Sequence, residues 1–186
     1  MHEWNDKAVS PNLTFIVGFM GSGKTTWGRR LAQRTGHRFV DLDHLIVEQI
    51  QTDIPQFFKS QGEAKFRQLE ADTLRTIPAD QPTIVATGGG TPCFHGSMDW
   101  MNQHGNTLYL RLSPEQLWQR LNKPKHIDSR PALKGLTEGE LLAFITQKLE
   151  EREPFYSQAK QIVDQASVQL EELAARIAPP SQDLNR

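Results

Sequence analysis

The chain has 186 residues, of which 37% are apolar and 23% are charged, and its formal net charge is -1. This length can bury the core of one domain, and the composition excludes an intrinsically disordered chain. The near-neutral charge excludes a protein whose whole surface binds polyanions, and the single cysteine excludes an intrachain disulfide. No apolar run reaches the length needed to cross a bilayer.

These features predict one domain over residues 1–186, with a core of about 13–178 and loose termini at 1–12 and 179–186. A lone cysteine is typical of a reducing compartment, so the cytoplasm is the expected location. We expect a monomer that binds neither nucleic acid nor membranes, because the chain has no basic excess and no long apolar helix face to spare.

Short apolar runs alternate with segments of helical spacing along the chain. The predicted strands are residues 13–18, 38–41, 83–87, 107–112 and 161–164. The predicted helices are residues 24–34, 62–76, 114–121 and 138–152. Strands separated by helices require crossover connections, which predicts an α/β fold with a parallel sheet covered on both faces. Residues 122–137 are rich in Lys, Pro and Gly and predict a long loop.

The most specific motif is a loop that fits G-x-x-x-x-G-K-[ST] between an apolar strand and a helix, with the residues Gly18-Phe19-Met20-Gly21-Ser22-Gly23-Lys24-Thr25. Such loops present backbone N–H groups and a helix N-terminus to phosphates. The expected nucleotide-binding residues here are Gly21, Ser22, Gly23, Lys24, Thr25 and Thr26. Lys24 can reach the β- and γ-phosphates, and the Thr25 hydroxyl can bind Mg²⁺. The motif indicates a nucleotide but does not specify a reaction.

Two carboxylates, Asp41 and Asp43, follow the second predicted strand. If both lie in the strand, they face the same side and the ligand crevice, one toward the Mg²⁺ shell and one toward a substrate hydroxyl. The alternative is that Asp43 is only the N-cap of a helix that begins with the apolar run after it.

Glu63, Arg67 and Glu70 have the i,i+4 and i,i+3 spacing at which two acids can hold one guanidinium. The alternative is an ordinary surface ion-pair ladder, which contributes little. Gly88, Gly89 and Gly90 follow the third strand and would let a ligand approach the backbone closely.

Two further arginines are candidates for binding anionic groups. Arg130 lies within the long loop, where it could stabilise transferring charge, although a solvated basic loop would look the same because Lys123 and Lys125 are neighbours. Arg152 lies near the end of a predicted helix, where the helix dipole alone would favour a cation.

Taken in chain order, these motifs resemble those of the shikimate kinases. The resemblance runs from about Thr14 to Asp164, and its markers are Phe19-Met20-Gly21, Asp41-x-Asp43, Gly62-Glu63-x-x-Phe66-Arg67-x-x-Glu70, Gly88-Gly89-Gly90, Arg130-Pro131-x-Leu133 and Arg152 with Tyr156 and Ala159. It implies transfer of the ATP γ-phosphate to the 3-hydroxyl of shikimate in aromatic amino-acid biosynthesis. It also implies a nucleoside-monophosphate-kinase-like P-loop fold of three α/β/α layers, with a five-stranded parallel sheet of order 2-3-1-4-5.

The resemblance also implies roles for individual residues. The expected shikimate contacts are Asp43, Arg67, Gly88, Gly89, Gly90 and Arg152. The expected catalytic residues are Lys24, Asp43 and the lid arginine, Arg130. Arg120 would contact adenine, and Thr25 and Asp41 would belong to the Mg²⁺ shell.

Two features depart from the family pattern, and two other functions stay open. The segment between Arg120 and Arg130 is longer than the family's usual lid. Cys93 follows the glycine run, and we interpret it as a small buried residue rather than a nucleophile.

The alternative functions are a related kinase for another small metabolite, such as gluconate or a nucleoside monophosphate, and a non-catalytic ATP-binding module.

Overall fold

A five-stranded parallel sheet forms the centre of the molecule, with the strand order β2-β3-β1-β4-β5. The computed structural model describes residues 12–123, 133–165 and 167–177. The strands are β1 (Leu13–Val17), β2 (Arg38–Asp41), β3 (Thr83–Ala86), β4 (Asn106–Arg111) and β5 (Gln161–Asp164). The predicted α/β class, strand positions and strand order are therefore confirmed, with shifts of one residue at the strand ends.

Helices connect the strands and cover both faces of the sheet. In the described residues they are α1 (Lys24–Thr35), α2 (Leu42–Ile50), α3 (Ile54–Gln61), α4 (Glu63–Arg75), α5 (Ser97–His104), α6 (Pro114–Leu121), α7 (Glu138–Tyr156) and α8 (Leu170–Ile177). A short 3-10 turn, Thr91–Cys93, follows β3. Helix α6 has the predicted bounds, and α1 and α4 differ from prediction by a residue at their ends.

The side chains of β1 show how the sheet divides the core. Phe15 and Val17 point into a large apolar cluster that also contains side chains from α2, α4, α6 and α7. Ile16 points the other way, into a smaller cluster with α1 and α8. Both faces of the central strand are buried, which explains why its sequence is a continuous apolar run without alternation.

Helices α3, α5 and α8 were not predicted, and α2 was predicted only as the alternative in which Asp43 caps a helix. Each is short, and α2 follows β2 without a loop residue, so the helical spacing merges with the strand pattern. Helix α7 runs four residues beyond its predicted end and includes Pro154. The last turn is held by Tyr156, whose buried ring packs against Tyr109 with the centroids 5.1 Å apart.

Several predictions fall outside the described residues. These are most of the termini predicted to be loose and the greater part of the loop at 122–137, including Arg130. In the part of the chain that the structure describes, no helix combines the length and apolarity needed to cross a bilayer.

The edge strand β5 is attached to the sheet partly through a buried hydroxyl. The Thr107 hydroxyl oxygen accepts a hydrogen bond from the backbone N–H of Lys160 at 2.8 Å, and the same hydroxyl donates to the side chain of Asn102. Thr107 is fully buried, so its hydroxyl depends on these two protein partners for its hydrogen bonds.

We therefore expect Thr107→Val to lower the free energy of unfolding by about 1–3 kcal/mol, because it keeps the side-chain shape and removes two hydrogen bonds. Urea denaturation followed by circular dichroism measures this change. Thr107→Ser is the matched control, since it keeps the hydroxyl and loses only a methyl group. Equal stability of Thr107→Val and the wild type would contradict the assigned role.

Candidate active site

The phosphate loop connects β1 to α1 at the carboxyl edge of the sheet. Gly23, the N-cap of α1, has φ = 88°, a left-handed conformation that side chains disfavour, which explains the glycine immediately before Lys24. The Lys24 ammonium is buried and donates hydrogen bonds to the carbonyl oxygens of Gly18 at 2.8 Å and Phe19 at 3.0 Å. The loop is therefore folded around its lysine as the motif predicts.

Asp41 links the phosphate loop to the second strand. The Thr25 hydroxyl donates to Asp41 Oδ2 at 2.8 Å, and Asp41 Oδ1 accepts from the backbone N–H groups of Asp43 and His44. Asp41 is thus the last residue of β2 and the N-cap of α2. The prediction that both carboxylates lie in one strand is wrong, because α2 begins at Leu42. The alternative correctly predicted a helix here, but its N-cap is Asp41 and not Asp43.

The oxygen atoms around Thr25 suit Mg²⁺. A hydroxyl and a carboxylate meet there, and the described residues hold no cluster of three or more His, Cys, Asp or Glu side chains that could form a complete metal cage. Mg²⁺ is usually held by one or two carboxylates together with water and substrate phosphates. The residues at this place therefore fit the metal.

Arg67 of α4 is held by two carboxylates, as its spacing predicts. Its guanidinium lies 3.1 Å from Glu63 and 2.9 Å from Glu70, and the Arg67 side chain is only 12% exposed. Glu70 is buried and also accepts a hydrogen bond from the Thr91 hydroxyl at 2.6 Å. Burial and this extra partner exclude the alternative of a solvated surface ladder.

The glycine run after β3 is packed directly against these side chains. A Cβ atom at Gly90 would lie 2.5 Å from the nearest guanidinium nitrogen of Arg67, a distance that no side chain could accept without moving the arginine. The need for glycine here is therefore steric.

An open cavity of about 570 Å³ brings the predicted substrate residues together. Its walls come from the phosphate loop, α2, α3, α4, the glycine run and α7. The lining residues are Met20, Asp43, Val47, Asp53, Ile54, Pro55, Phe58, Phe66, Arg67, Glu70, Gly88, Gly89, Gly90 and Arg152. All six residues expected to contact the substrate line this one cavity.

Volume alone does not identify this cavity as the site. Another cavity of about 580 Å³ lies between α6, α7 and the ends of β4 and β5, and none of the predicted site residues lines it. The cavity beside the phosphate loop is distinguished by its chemistry, because a carboxylate and two guanidinium groups converge there.

Arg152 reaches the phosphate loop from α7. Its guanidinium carbon lies 5.4 Å from the centre of the Phe19 ring, and a Cβ at Gly89 would be 3.5 Å from Arg152 Nη1. One turn later, the Tyr156 hydroxyl donates to the Gly89 carbonyl oxygen. The position of Arg152 is thus set by contacts across the cavity, which a simple cation at a helix end would not need.

Asp43 faces the cavity and keeps contact with the solvent in it, while the protein encloses it elsewhere. Partial burial, followed by the nearby carboxylates of Glu70 and Asp41, raises the pKa of Asp43 from 3.8 to about 6. Lys24 and Arg67 oppose this rise because they favour the charged form. At neutral pH Asp43 is therefore mainly an anion with unusually high proton affinity.

Arg120 lies on the outer side of the phosphate loop. Its guanidinium donates to the carbonyl oxygen of Ser22 at 3.1 Å, and the Gln165 side-chain amide donates to the same oxygen. Partial burial lowers the pKa of Arg120. Arg120 is therefore next to the nucleotide loop, whereas Arg130 lies outside the described residues.

Cys93 is half-buried at the end of the 3-10 turn. Burial raises the pKa of its thiol to about 11, although the nearby Arg152 and Arg67 act in the opposite direction. The thiol is protonated at neutral pH, which agrees with the interpretation of Cys93 as a packing residue rather than a nucleophile.

The wall of the cavity that α3 provides was not predicted. Asp53 caps this helix by accepting a hydrogen bond from the N–H of Gln56 at 2.7 Å, and Pro55 stands in its first turn. An Asp followed by an early proline is a recognised helix-start signal, so α3 could have been found. The hydrogen bond from Tyr156 to the glycine run has no comparable local signal, since its partners are 67 residues apart.

Comparison with known proteins agrees with this geometry. The family model for shikimate kinase matches residues 20–179. A shikimate kinase of Parabacteroides distasonis is 44% identical over 145 residues, which cover 78% of this chain and 83% of that protein. The chain belongs to the shikimate kinase family.

Solved structures of shikimate kinases share the fold. The enzyme from Bacteroides thetaiotaomicron has a TM-score of 0.80 at 38% identity, covering 89% of this chain and 95% of that one. The Acinetobacter baumannii enzyme, solved in complex with shikimate, has a TM-score of 0.75 at 30% identity and covers 92% of both chains. The predicted resemblance to the shikimate kinase family is confirmed.

The raised pKa of Asp43 predicts a pH-dependent effect of neutralising it. The Asp43 carboxyl binds its proton more tightly in the folded protein than in the unfolded chain. Protonation of Asp43 therefore stabilises the fold fully below about pH 4, and this stabilisation is lost as the pH rises through about 6. Because Asp43 is exposed to the solvent of the cavity, which screens its interactions, we expect Asp43→Asn to raise the melting temperature by only about 2–4 °C at pH 8 and to have little effect at pH 4.

Differential scanning calorimetry at the two pH values measures this difference. Asp80→Asn is the control, because it removes one exposed loop carboxylate away from the cavity. A lower melting temperature of Asp43→Asn at pH 8 would show that the charged carboxylate stabilises the fold.

Proposed function

We propose that the cavity beside the phosphate loop is where this member of the shikimate kinase family phosphorylates the 3-hydroxyl of shikimate, with ATP as co-substrate and Mg²⁺ as the metal. The observation that carries the proposal is the convergence of Asp43, Arg67 and Arg152 on one cavity next to Lys24. Shikimate is a carboxylate with three hydroxyl groups, so two guanidinium groups and one carboxylate match its charge and its hydroxyls.

Arg67 and Arg152 would bind the carboxylate of the acceptor. Among the contacts of the described residues, Arg67 donates from Nε and Nη2 to Glu63 and from Nη1 to Glu70. One N–H on each of the two terminal nitrogens therefore remains for a ligand. Glu70 fixes the guanidinium from a buried position. The arginine is therefore oriented before the acceptor arrives, which lowers the entropy cost of binding.

Asp43 would bind the reacting hydroxyl and accept its proton. A carboxylate with a pKa of about 6 is ionised at neutral pH yet is more basic than an ordinary aspartate. Phosphoryl transfer usually has a loose transition state that requires little base strength, so we expect positioning of the hydroxyl to contribute as much as proton removal.

The phosphate loop would hold the ATP phosphates with the backbone of Gly21, Ser22, Gly23 and Thr26. Lys24, a catalytic residue in this proposal, would exchange the carbonyl oxygens that it now contacts for phosphate oxygens. Thr25 and Asp41 would hold Mg²⁺, which when bound neutralises charge on the phosphate oxygens.

Two arginines complete the proposed nucleotide site. Arg120, already at the outside of the loop, would contact the adenine. Arg130 would act as the lid residue that stabilises the transferring charge, a role that rests on the sequence motif and the family resemblance alone.

We further propose that the chain is a single-domain, monomeric, cytoplasmic enzyme that binds neither nucleic acid nor membranes. The net charge of -1 and the single cysteine support this view. The comparisons give no support to a gluconate-type kinase, a nucleoside monophosphate kinase or a non-catalytic ATP-binding module.

A coupled ADP-release assay with Mg-ATP tests the reaction. We expect strong turnover with shikimate and little with quinate or gluconate, because only an acceptor with a correctly placed carboxylate and hydroxyl satisfies both arginines and Asp43. Turnover with gluconate but not with shikimate would contradict the assignment of the acceptor.

Arg67→Ala separates acceptor binding from nucleotide binding. We expect the Kd for shikimate to rise about 10- to 100-fold, because charge-assisted hydrogen bonds to the acceptor are lost. The Kd for ATP should stay within about twofold of the wild type. Isothermal titration calorimetry with each ligand measures both. Lys65 is an exposed neighbour on α4, so Lys65→Ala should change neither Kd. An equal loss of both affinities in Arg67→Ala would show instead that Arg67 has a structural role.

A further inference from the structure

Arg67 is surrounded by aromatic rings in addition to its carboxylate partners. The guanidinium carbon lies 5.6 Å from the centre of the Phe58 ring, 5.3 Å from that of Phe66 and 4.7 Å from that of Phe94. Phe58 and Phe66 line the cavity and belong to its wall, but Phe94 does not line it. The ring nearest to the arginine therefore lies outside the residues that line the cavity.

Phe94 is also one of two large hydrophobic side chains that are exposed in the described residues, with 38% of its surface accessible. A phenylalanine with 38% of its surface exposed gains less from burial than a core residue, so apolar packing explains only part of its place. The guanidinium face offers an explanation, because a cation 4.7 Å from the ring centre lies within the range of a cation–π interaction.

The backbone after Phe94 is held in an unfavourable conformation. His95 and Gly96 have φ values of 51° and 64°, and His95 is one of only two residues other than glycine with positive φ in the described chain. Such a conformation persists when the surrounding structure enforces it. Here Arg75 Nη2 donates to the His95 carbonyl oxygen at 2.7 Å, and the N–H of Ser97 donates to the Phe94 carbonyl oxygen at 3.0 Å.

Helix α4 thus supplies both the arginine of the substrate site and the arginine that fixes the turn. Arg75 anchors the turn at the end of α4, and the turn returns the Phe94 ring to Arg67 on the same helix. On another side, the guanidinium lies against the Gly90 backbone, since a Cβ at that position would be 2.5 Å from an Arg67 nitrogen. The cation is thus surrounded by a carboxylate pair, a backbone segment and three rings, of which the Phe94 ring is the nearest.

We propose that Phe94 is a positioning residue for acceptor binding: its ring holds the Arg67 guanidinium in place and shields it from water. The proposal rests on the proposed function of Arg67 in binding the acceptor carboxylate. A shielded guanidinium interacts more strongly with an anion than a solvated one, because the local dielectric constant is lower. Phe94 acts only on the step in which Arg67 takes part, so it affects acceptor affinity and leaves the ATP site unchanged.

Steady-state kinetics of the full chain test this role. We expect Phe94→Ala to raise the KM for shikimate about 3- to 10-fold, with kcat and the KM for ATP within about twofold of the wild type. Phe94→Tyr should restore a wild-type KM because it keeps the ring. Phe94→Leu should behave like the alanine variant, since it keeps apolar bulk without a π-system.

One control and one further test accompany the Phe94 variants. Ile162→Ala removes the other exposed large hydrophobic side chain, which is 43% accessible and lies on β5, and it should leave the KM for shikimate unchanged. Arg75→Gln, which weakens the anchor of the turn, should raise that KM in the same direction as Phe94→Ala, with kcat unchanged.

The possible failures can be distinguished. A wild-type enzyme without shikimate turnover would overturn the proposed function together with this inference. Normal wild-type turnover combined with an unchanged KM in Phe94→Ala would overturn the positioning role alone. A wild-type KM in Phe94→Leu would also overturn it, because apolar packing rather than the aromatic face would then be sufficient.

Discussion

All five strands of the sheet run in the same direction, and this direction decides where the active site can form. Because every strand runs the same way, the phosphate loop after β1, Asp41 at the end of β2 and the glycine run after β3 meet at one edge of the sheet. The strands contribute few side chains to the site directly. They bring three short backbone segments together, and the helices that follow supply the charged groups.

The acceptor side of the site is organised around the buried carboxylate of Glu70. It binds Arg67 on its own helix and the Thr91 hydroxyl after the glycine run, and its charge contributes to the raised pKa of Asp43. One side chain therefore orients the cation that would bind the acceptor and tunes the group that would accept its proton. A buried charge of this kind is tolerated because it has two partners at hydrogen-bonding distance.

Local sequence signals were sufficient for the sheet, the phosphate loop and the pairing of Glu63, Arg67 and Glu70, because each depends on residues close together in the chain. The same reasoning placed Asp43 in a strand, since two acids separated by one residue fit a period of two as well as a helix start. Contacts such as Tyr156 with Gly89 or Phe94 with Arg67 could not be predicted, because they depend on how distant segments pack. The ordered motifs of a known family bridged part of this gap by pointing to Arg152, whose local sequence alone favours an ordinary helix end.

The two arginines of the cavity belong to helices on different sides of it. Arg67 is attached through Glu70 and Thr91 to the segment after β3, and Arg152 belongs to a helix that is joined to β4 by the hydrogen bond from the Tyr109 hydroxyl to Glu153 at 2.6 Å. An anion bound by both would connect α4 to α7 as a reversible cross-link. Its free energy of binding would then oppose any motion that separates the two helices, so the substrate itself would contribute to the rigidity of the site in which it reacts.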